Sequence, residues 1–66
     1  MTFHRAFDRL CWLFSDGATP TDLETAARAC YAVASRIEAS YLFAVLSYFE
    51  MNTEWLEEAM YADAQN

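Results

Sequence analysis

His4 and Asp8 stand four residues apart. That is one helical turn, so the carboxylate could orient the imidazole as in a catalytic dyad. No motif ties a nucleophile to the pair, and an exposed histidine beside a surface acid describes it better. Cys11 follows on nearly the same helical face as His4, and Cys30 lies further along the chain. Three soft ligands could hold zinc, but structural zinc sites use four ligands in closely spaced pairs, a spacing missing here. The two cysteines read as small apolar side chains packed across a helix–helix contact. Whether they stay reduced or bridge is open at this level, although two cysteines do not make a disulfide framework.

The remaining candidate chemistry is acidic. The segment SYFEMNTEWLEEAMY, residues 47 to 61, sets Glu50, Glu54, Glu57 and Glu58 among aromatic residues. Work as general acid and base needs carboxyl pKa values pushed apart by burial or unlike neighbours. Acids facing outward at a helix start are held ionised by the helix dipole instead. The segment also lacks the loop signature of a calcium or magnesium site. No catalytic role, metal or cofactor is expected, and the chain is not read as an enzyme.

Charge is distributed unevenly along the chain. Ten acids oppose four Arg, Lys is absent, and the net charge is −6. Up to residue 36 the acids Asp8, Asp16, Asp22 and Glu24 balance Arg5, Arg9, Arg28 and Arg36. From residue 37 onward Glu38, Glu50, Glu54, Glu57, Glu58 and Asp63 have no cation among them. Such a field repels nucleic acid and anionic lipid and attracts basic surfaces, so neither direct nucleic-acid binding nor membrane binding is expected. The opening residues have Asp8 and Arg9 where a secretory signal needs an unbroken apolar core. The run YLFAVL is far short of the roughly 20 apolar residues that span a bilayer. These features point to a cytoplasmic setting.

The elements that must position these residues are helical. With 66 residues, 56% of them hydrophobic and 17% aromatic, the chain can hold one small core and one domain, residues 1 to 66. Phe3, Phe7, Leu10 and Phe14 recur at helical spacing, and Asp16-Gly17 ends that helix after Ser15. Thr19 is a natural N-cap, Pro20 suits the first helical position, and Asp22 sits where a capping-box acid reaches back. The apolar stripe then continues to Met51. One unbroken helix over 20–51 would run about 48 Å, too long for a domain of this size. The pattern Ser35-Arg36-Ile37-Glu38 is a capping box, which predicts a bend or break near residues 34–36. A strand over 41–49 is rejected because it would have no partner. The last helix begins at the caps Asn52 and Thr53 and runs to about Ala62, with residues 63–66 frayed. Met51 is placed to staple onto Leu56. The predicted fold is all-α, a compact bundle of three or four short helices.

On the last helix Trp55, Leu56, Ala59 and Met60 make an apolar side, with Glu54, Glu57, Glu58 and Tyr61 outside it. The acids suit a solvated helix start, and Arg5 or Arg9 could neutralise part of the set. They equally suit recognition. Carboxylates one turn apart lie about 5–6 Å from each other at Cβ, while DNA phosphates recur about every 3.4 Å along each strand axis. A rigid row of acids can thus present DNA-like charge to a basic groove. The candidate partner-binding set is Glu50, Glu54, Glu57, Glu58, Trp55 and Tyr61, with Glu38 and Asp63 as outlying acids. The aromatic residues would serve as anchors and the charges would steer the encounter.

In its small size, acidity, all-helical pattern and lack of catalytic motifs, the chain resembles small inhibitor proteins of phages and mobile elements. Anti-CRISPR proteins are among them, some of which act as nucleic-acid mimics occupying a DNA-binding channel. The resemblance implies a host-cell cytoplasmic inhibitor whose partner is a basic nucleic-acid-binding protein or complex, such as a CRISPR effector. The alternative is a small helical homo-oligomerisation or adaptor module. In that case the interface, of a homodimer for example, would be the stripe Tyr41, Leu42, Phe43, Leu46 and Phe49, and the acids would confer solubility.

Overall fold

The computed structural model describes residues 1–66 as four helices: α1 (Phe3–Ser15), α2 (Pro20–Ala32), α3 (Arg36–Tyr48) and α4 (Glu54–Gln65). Their ends follow from local chemistry. Thr2 Oγ1 accepts from the Arg5 amide at 3.3 Å and starts α1. At its other end the Gly17 amide donates to the Phe14 carbonyl at 3.2 Å and the Ala18 amide to the Leu13 carbonyl at 3.0 Å. This is a Schellman motif, and it requires Gly17 to be left-handed, with φ at +71°.

Thr19 Oγ1 caps α2 by accepting from the Asp22 amide at 3.2 Å, with Pro20 in the first turn. The Asp22 carboxylate does not reach back, so only half of the expected capping box forms. The box at Ser35 is complete. Ser35 Oγ accepts from the Glu38 amide at 3.2 Å, and the Ser35 amide donates to Glu38 Oε1 at 2.8 Å. The polypeptide therefore breaks over residues 33–35, as that motif predicts. The longest dimension of the molecule is 36 Å, which a straight helix over 20–51 would have exceeded.

Two boundaries differ from the sequence expectation. α3 ends at Tyr48, short of Met51, in a second Schellman motif. The Glu50 amide donates to the Ser47 carbonyl at 3.0 Å and the Met51 amide to the Leu46 carbonyl at 3.0 Å. Here Glu50, not a glycine, takes the left-handed conformation, with φ at +59°. Asn52 Oδ1 accepts from the Glu54 amide at 3.1 Å, whereas Thr53 makes no capping bond through its side chain. α4 also continues to Gln65, beyond the expected end near Ala62. Its last turns are held because the Tyr31 hydroxyl donates to the Asp63 carboxylate.

The core is assembled from small and branched residues. Ala6 and Leu10 of α1 meet Ala26, Ala27 and Cys30 of α2, Leu42 and Leu46 of α3, and Leu56 of α4. Alanine and cysteine at the centre let α1 and α2 approach closely, and these two helices share the most extensive contact. The aromatic rings flank the core instead of filling it. Phe7 lies against Tyr41 with ring centroids 5.4 Å apart, and Phe14 stacks on Phe49 at 4.7 Å. Both contacts join α1 to α3. Met51 is partly buried against the same core cluster. The cysteines divide: Cys30 is buried and Cys11 exposed, both as free thiols, and they lie near enough for Cys11 to act on the Cys30 thiol.

Candidate protein-binding surface

Helical spacing decides which side of α4 faces outward. Leu56 is fully buried, and Trp55 and Met60 pack against the core with it. The opposite side presents Glu54, Glu57 and Glu58, all exposed, together with Tyr61 at 70% exposure. Tyr61 lies three and four residues beyond Glu58 and Glu57, so the ring shares a face with those acids. Glu50 is exposed in the turn just before α4, held there by the left-handed geometry. The structure thus brings Glu54, Glu57, Glu58 and Tyr61 onto one solvent face, with Glu50 in the turn that leads into the helix.

The other candidates have structural employment. Glu38 closes the α3 capping box. Asp63 accepts from Tyr31 on the inward side of α4. That hydrogen bond raises the Tyr31 pKa above its usual 10.0, because the carboxylate favours the protonated hydroxyl. Trp55 is half-buried, edge-on to the Tyr31 ring with centroids 6.4 Å apart. Above it lies the Arg28 guanidinium, 4.7 Å from the ring centroid. Trp55 therefore anchors α4 to α2 and does not stand free for a partner.

Arg28 is the cation that sequence order concealed. It reaches across from α2, yet it leaves the α4 carboxylates alone and pairs with Glu24, with Nε 3.5 Å from Oε2. The only other ion-pair contact joins His4 to Asp8 at 3.4 Å. Arg5 and Arg9 neutralise none of the acids from residue 37 onward. Glu50, Glu54, Glu57 and Glu58 are therefore unpaired as well as exposed.

The exposed apolar surface of α3 differs from the expected one. On α3, Ile37 is 84% exposed, Tyr41 55% and Tyr48 82%, and Ala44 between them is exposed as well. The expected stripe of Tyr41, Leu42, Phe43, Leu46 and Phe49 is split by the fold, since Leu42 and Leu46 are fully buried. The signal was present in the sequence. Beyond its first turn α3 carries apolar residues on every side, more than one core-facing stripe can take.

A cleft of about 550 Å³ lies beside the Tyr31–Asp63 bond, lined by Ser35, Arg36, Ala39 and Met60 among others. Of its polar groups, Asp63 is bonded to Tyr31 and the Ser35 hydroxyl caps α3. No three His, Cys, Asp or Glu side chains cluster closely enough to hold a metal ion, and no helix is long and apolar enough to cross a membrane. Buried Cys30, beside Cys11, has its thiol pKa pushed up to about 11, chiefly by desolvation. That is the opposite of nucleophile activation. No family model, curated protein or solved structure matches the chain.

Proposed function

We propose that this chain is a non-catalytic, protein-binding inhibitor that occupies the basic groove of a nucleic-acid-binding partner with a DNA-like carboxylate surface. The observation that carries the reading is the state of Glu54, Glu57 and Glu58, which are exposed on one face of α4, adjoin exposed Tyr61, and lack any internal counter-ion. An ordinary solvated helix face intersperses charges of both signs. This one leaves its charge available at fixed spacing on a rigid element. A CRISPR effector complex in the cytoplasm of a bacterial host is the partner type that the resemblance to phage inhibitors favours.

Affinity capture from bacterial lysate tests the proposal, with the identified partner then assayed for DNA or RNA binding. The wild-type chain is compared with Glu54→Lys/Glu57→Lys/Glu58→Lys, which takes the net charge from −6 to zero. The expected result is a nucleic-acid-binding complex that loses its nucleic acid when wild type is added. The triple variant and high salt both abolish capture, because screening shortens to about 3 Å at 1 M ionic strength. Retention of the same partner by the triple variant would exclude the acidic face as the working surface.

A further inference from the structure

We infer that the outward face of α3 is a self-complementary surface on which a second copy of this chain packs, antiparallel, about a two-fold axis. The face consists of Ile37, Tyr41, Ala44 and Tyr48, opposite the buried residues Ala39, Leu42 and Leu46. Its spacing of four, three and four residues reads the same in both directions, with its midpoint between Leu42 and Phe43. A two-fold axis there sets Ile37 against Tyr48 of the second copy and Tyr41 against Ala44, a large side chain over a small one in each half. This reciprocity is what an isologous interface requires. Ser40 and Ser47 flank Ala44 and are exposed, so nothing bulky prevents the roughly 8–10 Å approach of packed helices.

Charge selects the occupant. Arg36 at the start of α3 and Glu50 just beyond its end are exposed and without ion-pair partners. About 20 Å of helix separates them, so they cannot meet within one chain. Antiparallel pairing about the same midpoint brings Arg36 of one copy beside Phe49 and Glu50 of the other, twice over. It also aligns opposite ends of the two helix dipoles. The area is adequate. At about 200 Å² for a whole aromatic side chain, Tyr41 and Tyr48 expose about 270 Å² per copy on this face. With Ile37 and the flanking residues, two copies approach the ~1,200 Å² of a small specific interface.

Sedimentation equilibrium of the purified chain across a wide concentration range tests this independently of the α4 reading, because no other protein is involved. Wild type is expected to dimerise reversibly, and Tyr48→Glu to remain monomeric with an unchanged far-UV circular dichroism spectrum. Arg36→Glu and Glu50→Arg are each expected to weaken the dimer about tenfold, and the double variant to regain wild-type affinity within about threefold. A wild type that stays monomeric at every concentration overturns the inference, and so does a dimer indifferent to Tyr48→Glu. A double variant no tighter than either single one overturns the antiparallel arrangement.

Discussion

Glu50 occupies a backbone conformation that suits glycine, and replacing it should stabilise the protein. The Schellman motif after α3 needs a left-handed residue, and Glu50 supplies it at φ +59°. A side chain there costs about 1–2 kcal/mol through contact of Cβ with the following carbonyl oxygen. Glycine removes that cost but gives the unfolded chain more freedom, which returns about 0.5–1 kcal/mol. Glu50→Gly should therefore gain about 0.5–1 kcal/mol. For a domain of this size that raises Tm by about 2–8 °C. Gly17 provides the reciprocal test, since it holds the same place after α1 at φ +71° with nothing within 4 Å of an added Cβ. Gly17→Ala should lose about what Glu50→Gly gains, from backbone conformation alone. Thermal unfolding followed by circular dichroism at high salt reads both, with Glu50→Ala as the control. Alanine retains the strain while removing the carboxylate, so its Tm should stay near that of wild type. A Glu50→Gly protein no more stable than Glu50→Ala would falsify the strain argument.

Leu46→Ala, at a fully buried position, should cost about 2–5 kcal/mol, a large part of the roughly 3–10 kcal/mol available to a domain of this length. Tyr48→Ala, two residues on and 82% exposed, should change the urea midpoint of the monomer far less, and equal losses would contradict the assigned α3 faces. Iodoacetamide at pH 8 should label exposed Cys11 promptly and Cys30 only once denaturant is added, because Cys30 is buried and its pKa is pushed up to about 11; matching rates would refute this. Tyr31 has a folded-state pKa above its usual 10.0, so its stabilising bond is intact below pH 10 and is lost as pH rises through the higher folded-state value. Tyr31→Phe should accordingly be less stable than wild type at pH 7 and lose less stability above pH 10, which urea titrations at several pH values would check.

The helix starts were legible because caps are local. Thr19-Pro20 and the Ser35–Glu38 box need only neighbours within three residues, and both form where the sequence places them. The end of α3 was not legible. Glu50 is not a residue that signals a stop, and its left-handed turn arises where α4 must fold back onto the core through Met51 and Leu56. Long-range contacts account for the other differences. Trp55 reads as a free anchor until Arg28 of α2 is found above its ring. Asp63 reads as a loose tail until Tyr31, thirty-two positions earlier, is found bonded to it. The solvent face of α4 was legible, since its acids and Tyr61 fall outside a single apolar stripe. That of α3 was not, because apolar residues on all sides give no hint which of them the core selects.

The fastening of α4 determines the order in which the molecule can come apart. α1 and α2 share the broadest contact, whereas α4 adds one fully buried side chain, Leu56, and clips onto α2 through Trp55 and the Tyr31–Asp63 bond. Opening energies follow buried contact, so amide protons of α4 are expected to exchange before those of the α1–α2 pair. The helix that bears the unpaired acids thus keeps its internal spacing but is the element most lightly fastened to a sturdier hairpin. A partner that grips it closed slows that exchange, giving a record of occupancy in the protein's own backbone.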